Sequence, residues 1–286
     1  MYGAIVGDVA GSIFEGGMIK SKNFPFFSKR SRYTDDTVMT CAVAAALLMC
    51  EGEFDNEELF KKNLVREMKD LGKMFYDAGY GGNFNQWLLS RSPNPEPYNS
   101  YGNGSAMRVS PVAWVSDDIS VVKNLARWSA EVTHNHPEGV KGAEATAVAA
   151  FLARTGKSKD AIELYIRGNY YPELKNEVDS IRDDFVFNES CQYNVPPAIS
   201  CFLAGENFED VVRLAISLGG DTDTNAAIAG SIAEAYYGIP KRMIGEVKAY
   251  RMPDVLVMIA DEFEKKFGNK IEKSNFVSYV KSLLNW

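Results

Sequence analysis

The sequence has little cysteine, little histidine and no excess of positive charge, and each shortage excludes a class of protein. Four cysteines occur in 286 residues without a CxxC pair, and three lie in apolar stretches, which indicates a reducing compartment. The two histidines, His134 and His136, have no neighbouring cysteine, so a structural zinc site is not expected. The formal net charge of -7 argues against a broad surface for nucleic acid or anionic lipid.

Long hydrophobic runs and targeting signals are also lacking. The longest apolar run, residues 38–50, is too short to cross a bilayer. The N-terminal stretch has no basic region and carries Asp8 inside its apolar part, so it does not fit a signal peptide. These features predict a cytoplasmic protein without a membrane segment. The length is compatible with one continuous core, so we expect a single domain over residues 1–286.

Helix signals recur along the whole chain, whereas alternating strand patterns do not. The segment FDNEELFKKNLVREMKDLG combines an N-cap at Asp55 or Asn56, apolar residues at helical spacing and a stop at Gly72. Further helices are predicted at 119–132, 140–154, 159–167, 208–218, 225–237, 253–267 and 274–284. Segments rich in alanine and glycine, such as NAAIAGSIAEA, allow helix backbones to approach closely. The predicted fold is all-α, an orthogonal helical bundle with these helices at its centre.

Two acidic clusters each stand directly before an alanine-rich helix. They comprise Thr34, Asp35 and Asp36 in one and Asp221, Asp223 and Thr224 in the other. A single cluster of this kind is explained by helix capping, and the helix dipole supports its ionised form. A cap needs one oxygen, however, and the two clusters supply four carboxylates. Oxygen ligands suit Mg²⁺, Mn²⁺ or Ca²⁺, so the pattern predicts a site for two hard divalent cations.

Other segments offer weaker signals for chemistry. Glu15 lies near glycines that let the backbone bend, and it is either a solvated helix-end residue or a catalytic acid. The segments DAGYGGNFNQW and YNSYGNGSAMRVSP carry free amides that can form anion nests, although glycine and asparagine are also ordinary turn residues. Residues 91–105 form the longest irregular stretch predicted, and such loops are usually functional. For His134 we expect contact with a substrate or a structural hydrogen bond.

Five separated motifs together resemble the ADP-ribosylglycohydrolase family. They are AIVGDVAGSIFEGG, RYTDDTVMT, YGNGSAMRVSP, THNHPEGVKGAEATA and GGDTDTNAAIAGSIAEAYYG, spread over residues 3–240 in the family's order. The resemblance implies an all-helical bundle with two Mg²⁺ ions in a cleft, for which Mn²⁺ is a possible substitute. It also implies that ADP-ribose is released from an ADP-ribosylated protein or another modified acceptor.

The resemblance also implies roles for individual residues. The metal ligands would be Thr34, Asp35, Asp36, Asp221, Asp223 and Thr224. The substrate-binding residues would be Gly79, Tyr80, Gly81, Gly82, Ser100, Tyr101, Gly102, Asn103, Gly104 and His134. Either Asp36 or Glu15 would handle protons during cleavage of the ribosyl C1″ bond, which passes through an oxocarbenium-like state.

Two other functions are compatible with parts of the pattern. The string DTDT fits the DxDxT motif of Mg²⁺-dependent phosphohydrolases of the haloacid-dehalogenase type. In that type the first aspartate directly follows a buried strand, whereas Gly219 and Gly220 precede Asp221 here after a helical pattern. A catalytically silent ADP-ribose-binding or structural protein on the same fold is the second alternative, because a fold does not determine an activity.

Overall fold

A computed structural model describes residues 1–175 and 177–268, and these residues fold into α-helices joined by loops. The helices are α1 (Tyr2–Gly11), α2 (Asp35–Met49), α3 (Glu57–Met74), α4 (Gly82–Leu88), α5 (Gly104–Met107), α6 (Ile119–Glu131), α7 (Pro137–Arg154), α8 (Lys159–Asn169), α9 (Val178–Arg182), α10 (Cys191–Ala204), α11 (Phe208–Ser217), α12 (Thr222–Tyr237), α13 (Lys241–Tyr250) and α14 (Asp254–Phe267). A short 3-10 helix, Ser110–Trp114, follows α5. Within these residues, β-structure is limited to an isolated bridge between Gly102 and Ser190. The prediction of an all-α fold is confirmed.

Side-chain caps explain where several helices begin. Asn56 accepts a hydrogen bond from the backbone N–H of Leu59 and starts α3, as one of the two predicted caps. Ser158 and Asn207 start α8 and α11 in the same way. The predicted helices at 119–132, 159–167, 208–218 and 253–267 are present with ends shifted by one or two residues. The predicted helix at 274–284 lies outside the described residues.

Some predicted boundaries were wrong for identifiable physical reasons. Gly72, predicted as a helix stop, lies inside α3, where an added Cβ would come within 2.6 Å of Leu88 Cδ1. Glycine at this position therefore permits close packing of α4 on α3. Helices α7 and α12 begin three residues earlier than predicted, at Pro137 and Thr222. Proline suits the first helical position because the N–H that it lacks would have no partner there.

Six helices and one long loop were not predicted, and the helices are α1, α4, α5, α9, α10 and α13. Helix α10 contains Pro196 and Pro197, residues that remove backbone donors and therefore weaken a helix prediction. Helix α1 is buried along its whole length, and no side chain caps its N-terminus, so it lacks the local signals by which a helix start is predicted. The irregular segment 12–34 is longer than the predicted longest loop at 91–105. This segment carries Glu15 and leads into the first acidic cluster.

Helix α12 is central, and its closest neighbour is α1. Three glycines at four-residue spacing, Gly3, Gly7 and Gly11, lie along the α1 face that contacts α12. An added Cβ at Gly7 would lie 2.1 Å from the carbonyl oxygen of Ala226, so only glycine allows this separation. The contact runs to the N-terminus of α12, where Thr222 donates to the carbonyl oxygen of Gly11 at 2.9 Å. Close packing thus brings the end of α1 next to the second acidic cluster.

The buried hydrophobic side chains form one connected cluster that includes residues from α1, α2, α7, α10, α11 and α12. All four cysteines are buried and free. In the part of the chain that the structure describes, no helix combines the length and apolar character needed to cross a bilayer. The organisation of residues 1–286 as a single domain stays a prediction.

Candidate active site

A cavity lies where the N-termini of α2, α4 and α12 meet, with about 870 Å³ of space between its walls, part of it open to solvent. The predicted site residues that line it are Glu15, Asp35, Asp36, Gly79, Gly81, Gly82, Ser100, Gly102, Asn103, Gly104, His134, Asp221, Asp223 and Thr224. Thr34, Tyr80 and Tyr101 were predicted as site residues but are not among its lining residues. The cavity therefore gathers most of the predicted residues from six separate segments.

The two acidic clusters face the same space and contact each other directly. Thr224 Oγ1 donates to Asp36 Oδ2 at 3.2 Å, across 188 positions of sequence. Thr34 caps α2 through its hydroxyl, which accepts from the backbone N–H of Asp36. Asp221 is the N-cap residue of α12, and Asp223 lies in its first turn. Two helix N-termini with positive dipole ends thus point their acidic residues into one cavity.

The turn before the second cluster explains its two glycines. Gly219 and Gly220 have φ values of 73° and 70°, a left-handed conformation that residues with a Cβ rarely adopt. The backbone N–H of Gly16 donates to the carbonyl oxygen of Gly220 at 2.8 Å, and Gly220 N–H donates to the carbonyl oxygen of Gly17 at 3.1 Å. These bonds tie the turn that carries Glu15 to the turn that leads into Asp221.

Asp8 organises the first cluster, although its sequence context did not identify it as a site residue. The side chain is buried and accepts from the backbone N–H groups and the hydroxyls of both Thr34 and Thr37. Burial raises its pKa to about 6, although these hydrogen bonds oppose that change. Asp8 therefore anchors the N-terminus of α2 to α1. Its position inside an apolar run was the available signal, since a buried carboxylate needs partners.

The four predicted metal-binding carboxylates repel one another when they are ionised. Burial, followed by the charges of Asp8 and Asp221, raises the pKa of Asp35 to about 8. Burial and neighbouring carboxylates also raise the pKa values of Asp36 and Asp223 well above the usual range, and burial raises that of Asp221. A proton or a cation would relieve this repulsion.

Among the described residues, no three acidic, histidine or cysteine side chains already converge into a complete metal-binding group. The donor set nevertheless fits a hard cation. Asp36 is only 3% exposed, and its Oδ1 atom is buried without a hydrogen-bond partner in the described part of the chain. Carboxylate and hydroxyl oxygens line the same wall, which is the chemistry that Mg²⁺ or Mn²⁺ requires.

Two glycine-containing loops also line the cavity. In the first, Gly79 has a φ of 109°, and Gly81 and Gly82 have open space where a Cβ would lie. The backbone N–H of Asp35 donates to the carbonyl oxygen of Ala78 at 2.9 Å, which holds this loop beside the first acidic cluster. Backbone groups in such open loops can approach an anionic ligand closely.

The second loop, residues 100–104, is held from both sides. The backbone N–H of Asn103 donates to the carbonyl oxygen of Glu189 at 2.7 Å, and its side-chain amide donates to Asp221 Oδ2 at 2.7 Å. A Cβ at Gly104 would lie 3.1 Å from His134 Nε2, a tight contact, so glycine favours the close approach of this ring. The loop thus connects the second acidic cluster to the buried histidine.

The residues that do not line the cavity have structural contacts. Thr34 Oγ1 donates to Asp8 Oδ1 at 2.8 Å. The Tyr80 ring packs against Phe84 with centroids 5.4 Å apart. Tyr101 is 51% exposed, and its ring meets that of His136 at 5.4 Å. His136 itself caps α7 by accepting from the backbone N–H of Glu138.

Glu15 lies at the exposed rim of the cavity. Partial burial of its carboxyl group, followed by the charges of Asp221 and Asp8, raises its pKa, and Arg32 opposes this effect. A carboxyl group with a raised pKa next to a cleft can donate a proton near neutral pH.

Several lining residues were missed from the sequence: Met39, Asn83, Phe84, Tyr98, Met107, Arg108 and Glu189. Arg108 is the most unusual of them, because it is a 1% exposed arginine that donates to Ser129 and Thr133. A charged residue within the apolar run AMRVSP was its only sequence signal.

The structure removes the basis of the phosphohydrolase alternative. That alternative requires a buried strand directly before Asp221. The element before this residue is helix α11, followed by Gly219 and Gly220. No strand is formed in residues 1–175 and 177–268.

Comparisons with known proteins agree on one family. The family model described as ADP-ribosylglycohydrolase matches residues 1–272. ADP-ribosylhydrolase ARH3 of Bos taurus is 32% identical over 284 residues, covering 78% of this chain and 76% of the relative. ADP-ribosylarginine hydrolase Tri1 of Pseudomonas putida (strain GB-1) is 26% identical over 241 residues, covering 75% of this chain and 61% of the relative. The solved structure of an ADP-ribosylglycohydrolase-related protein complex superimposes with a TM-score of 0.62 at 25% identity, covering 92% of this chain and 95% of that one.

Proposed function

This chain belongs to the ADP-ribosylglycohydrolase family and is a glycohydrolase, and we propose that it cleaves the C1″ bond between ADP-ribose and a modified acceptor. Water is added across this bond, so that C1″ gains a hydroxyl group and the acceptor atom gains a proton. Free ADP-ribose is the product. The observation that carries the proposal is the direct contact between the two acidic clusters in one cavity, through Thr224 and Asp36.

The acidic wall is proposed to hold two Mg²⁺ ions, with Mn²⁺ as a possible substitute. The ligands would be drawn from the cavity-lining residues Asp35, Asp36, Asp221, Asp223 and Thr224, whereas the hydroxyl of the sixth predicted ligand, Thr34, donates to Asp8. The unpartnered Asp36 Oδ1 and the raised pKa values of these carboxylates support this assignment. When bound, the ions would neutralise the cluster and orient the hydroxyls of the ribose.

The glycine loops are proposed to bind the rest of ADP-ribose. Residues 79–82 and 100–104 border the same cavity as the acidic wall, so a ligand can contact all three at once. Their backbone N–H groups would contact the diphosphate, as in other anion nests. His134 lies against the second loop with Nε2 towards Gly102 and Gly104. The ligand would then lie with its scissile bond at the acidic wall.

Glu15 is proposed as the acid that protonates the leaving acceptor. It stands at the exposed rim of the cavity, and partial burial together with neighbouring carboxylates raises its pKa, which favours the protonated form that an acid requires. Asp36 is the alternative, but it is buried and already accepts a hydrogen bond from Thr224. A negative charge near C1″ would stabilise the oxocarbenium-like transition state, and the acidic wall supplies it.

The acceptor is proposed to be an ADP-ribosylated protein or another ADP-ribosylated molecule. The name of one relative specifies arginine as the acceptor, whereas the name of the other specifies none. We therefore propose a panel of conjugates in which ADP-ribose is linked to arginine, serine, a nucleic-acid base or a small metabolite. Release of free ADP-ribose is measured by chromatography, with Mg²⁺ and with EDTA.

Activity on at least one conjugate, lost in EDTA, is the expected result. Asp223→Asn should be inactive, and Asp55→Asn, a change at an exposed carboxylate, serves as the matched control. Binding of ADP-ribose in calorimetry without turnover of any conjugate would instead indicate a catalytically silent binding protein. Full activity of Asp223→Asn in EDTA would remove the proposed metal mechanism.

A further inference from the structure

Arg108 is a buried cation without a carboxylate partner among the described residues. Its Nη2 donates to the carbonyl oxygen of Ser129 and to Thr133 Oγ1, both at 2.8 Å, and its Nε has no partner. Burial lowers its pKa to about 10, so the guanidinium group stays charged at neutral pH. Arginine can only donate hydrogen bonds. The hydroxyl of Thr133 must therefore act as an acceptor towards Arg108.

Because the Thr133 hydroxyl accepts from Arg108, its own proton is directed towards His134, and this determines which ring nitrogen of His134 is protonated. Its Oγ1 lies 2.7 Å from His134 Nδ1, and the Thr133 residue is completely buried. A hydroxyl has a single proton, and in the described part of the chain Nδ1 is the one acceptor with which this hydroxyl forms a hydrogen bond. A buried hydroxyl proton without an acceptor is unfavourable, so this proton points to Nδ1. Nδ1 is then an acceptor and cannot carry a proton itself.

His134 Nε2 faces the ligand side of the cavity. Cβ atoms added to Gly102 and Gly104 would lie 3.4 and 3.1 Å from Nε2, and all three residues line the cavity. No hydrogen bond from Nε2 to the protein is present in residues 1–175 and 177–268. This nitrogen is therefore available to a ligand that occupies the loop at residues 100–104.

We propose that Arg108 and Thr133 are positioning residues that hold His134 as the neutral tautomer with its proton on Nε2. The ring then presents a fixed hydrogen-bond donor to an anionic oxygen of the ligand. The identity of that ligand, the diphosphate of ADP-ribose, rests on the proposed function. The opposite tautomer would present a lone pair to the same oxygen and would repel it.

The electrostatic surroundings agree with a neutral ring. Burial, followed by the positive charge of Arg108, holds the pKa of His134 well below its usual range. A doubly protonated ring would be a second buried cation beside the first. The donor at Nε2 must therefore come from the choice of tautomer, which is what the hydroxyl of Thr133 determines.

Nitrogen-15 NMR of the histidine rings tests the tautomer without any need for activity. The chain contains only His134 and His136, and the variant His136→Asn assigns the two sets of signals. At neutral pH, His134 should show an unprotonated Nδ1 and a protonated Nε2. A proton on Nδ1, or a doubly protonated ring, would overturn the proposal.

A pair of variants tests the relay. Thr133→Val has nearly the same shape but no hydroxyl, so the ring should populate both tautomers and bind ADP-ribose about tenfold more weakly in calorimetry. Thr133→Ser keeps the hydroxyl and should restore the single tautomer and the affinity. An unchanged tautomer and affinity in Thr133→Val would refute the relay. If the wild type has the expected tautomer but no ADP-ribose binding or hydrolysis, the proposed function fails and the tautomer assignment stands.

Discussion

Replacing Asp35 by asparagine measures the repulsion that the acidic cavity carries without a cation. Burial, together with the charges of Asp8 and Asp221, raises the pKa of Asp35 to about 8. An unfolded aspartate ionises near pH 4, at a pKa of about 3.9. Between these values the folded protein keeps a proton that the unfolded chain releases. Each pH unit in this window therefore costs the folded state up to about 1.4 kcal/mol.

The sign of the effect follows from the raised pKa. The folded state is favoured at low pH and loses stability as the pH rises from about 4 towards 8. Asparagine removes this loss, with an upper bound of about 5 kcal/mol at pH 8. Water in the open cavity screens the charge, and the loss of the Asp35 carboxylate from the first turn of α2 costs about 0.3–1 kcal/mol. We therefore expect a gain of about 2 kcal/mol at pH 8 and almost none at pH 5.

Urea unfolding in EDTA, followed by helical circular dichroism, provides the measurement. Asp55→Asn is the control, and it should change the free energy of unfolding by less than about 0.5 kcal/mol at both pH values. With excess Mg²⁺ the order should reverse, because the neutral amide introduced by Asp35→Asn would be a poorer ligand than the carboxylate. If Asp35→Asn destabilises the protein at pH 8 in EDTA, or has the same effect at both pH values, the proposed repulsion is absent.

Three further predictions concern activity and packing. Asp223→Asn should reduce the release of ADP-ribose by more than about 100-fold while leaving the circular dichroism unchanged, and a smaller loss would show that this carboxylate is dispensable. Glu15→Gln should lower kcat by about 100-fold or more, with ADP-ribose affinity within about threefold of the wild type; a change in affinity alone would indicate a binding role. Gly7→Ala should lower the free energy of unfolding by at least about 2 kcal/mol, because its Cβ would lie 2.1 Å from the carbonyl oxygen of Ala226. The control Gly245→Ala, at an exposed helical position with open space around it, should instead stabilise the protein by about 0.5–1 kcal/mol.

The helices were predictable wherever local signals set their ends. Asn56 is a cap followed by a regular apolar pattern, so α3 could be located from residues close together in sequence. Gly72 misled the prediction because its role is set by contact with Leu88 on another helix. Helix α10 was missed for a related reason, since the prolines at 196 and 197 oppose helix locally and the surrounding core compensates.

The acidic clusters of the candidate site could be recognised in the sequence because they contain more carboxylates than helix capping requires. Asp8 and Arg108 were not selected, since each occurs alone within an apolar segment. Their importance depends on partners distant in sequence, Thr34 and Thr37 for Asp8 and Thr133 for Arg108. Tyr80 and Tyr101 were included on the resemblance, but their rings pack against Phe84 and His136 respectively. Two residues that are adjacent in a loop can therefore differ in whether they line the cavity.

The two acidic clusters are proposed to hold a pair of divalent cations in one cavity. Anomalous diffraction from crystals grown with Mn²⁺ locates such ions directly. We expect two peaks within bonding distance of oxygens from Asp36 and Asp223, and the loss of at least one in Asp223→Asn. A map with no anomalous peak between these residues, from active enzyme saturated with Mn²⁺, would rule out the cation pair.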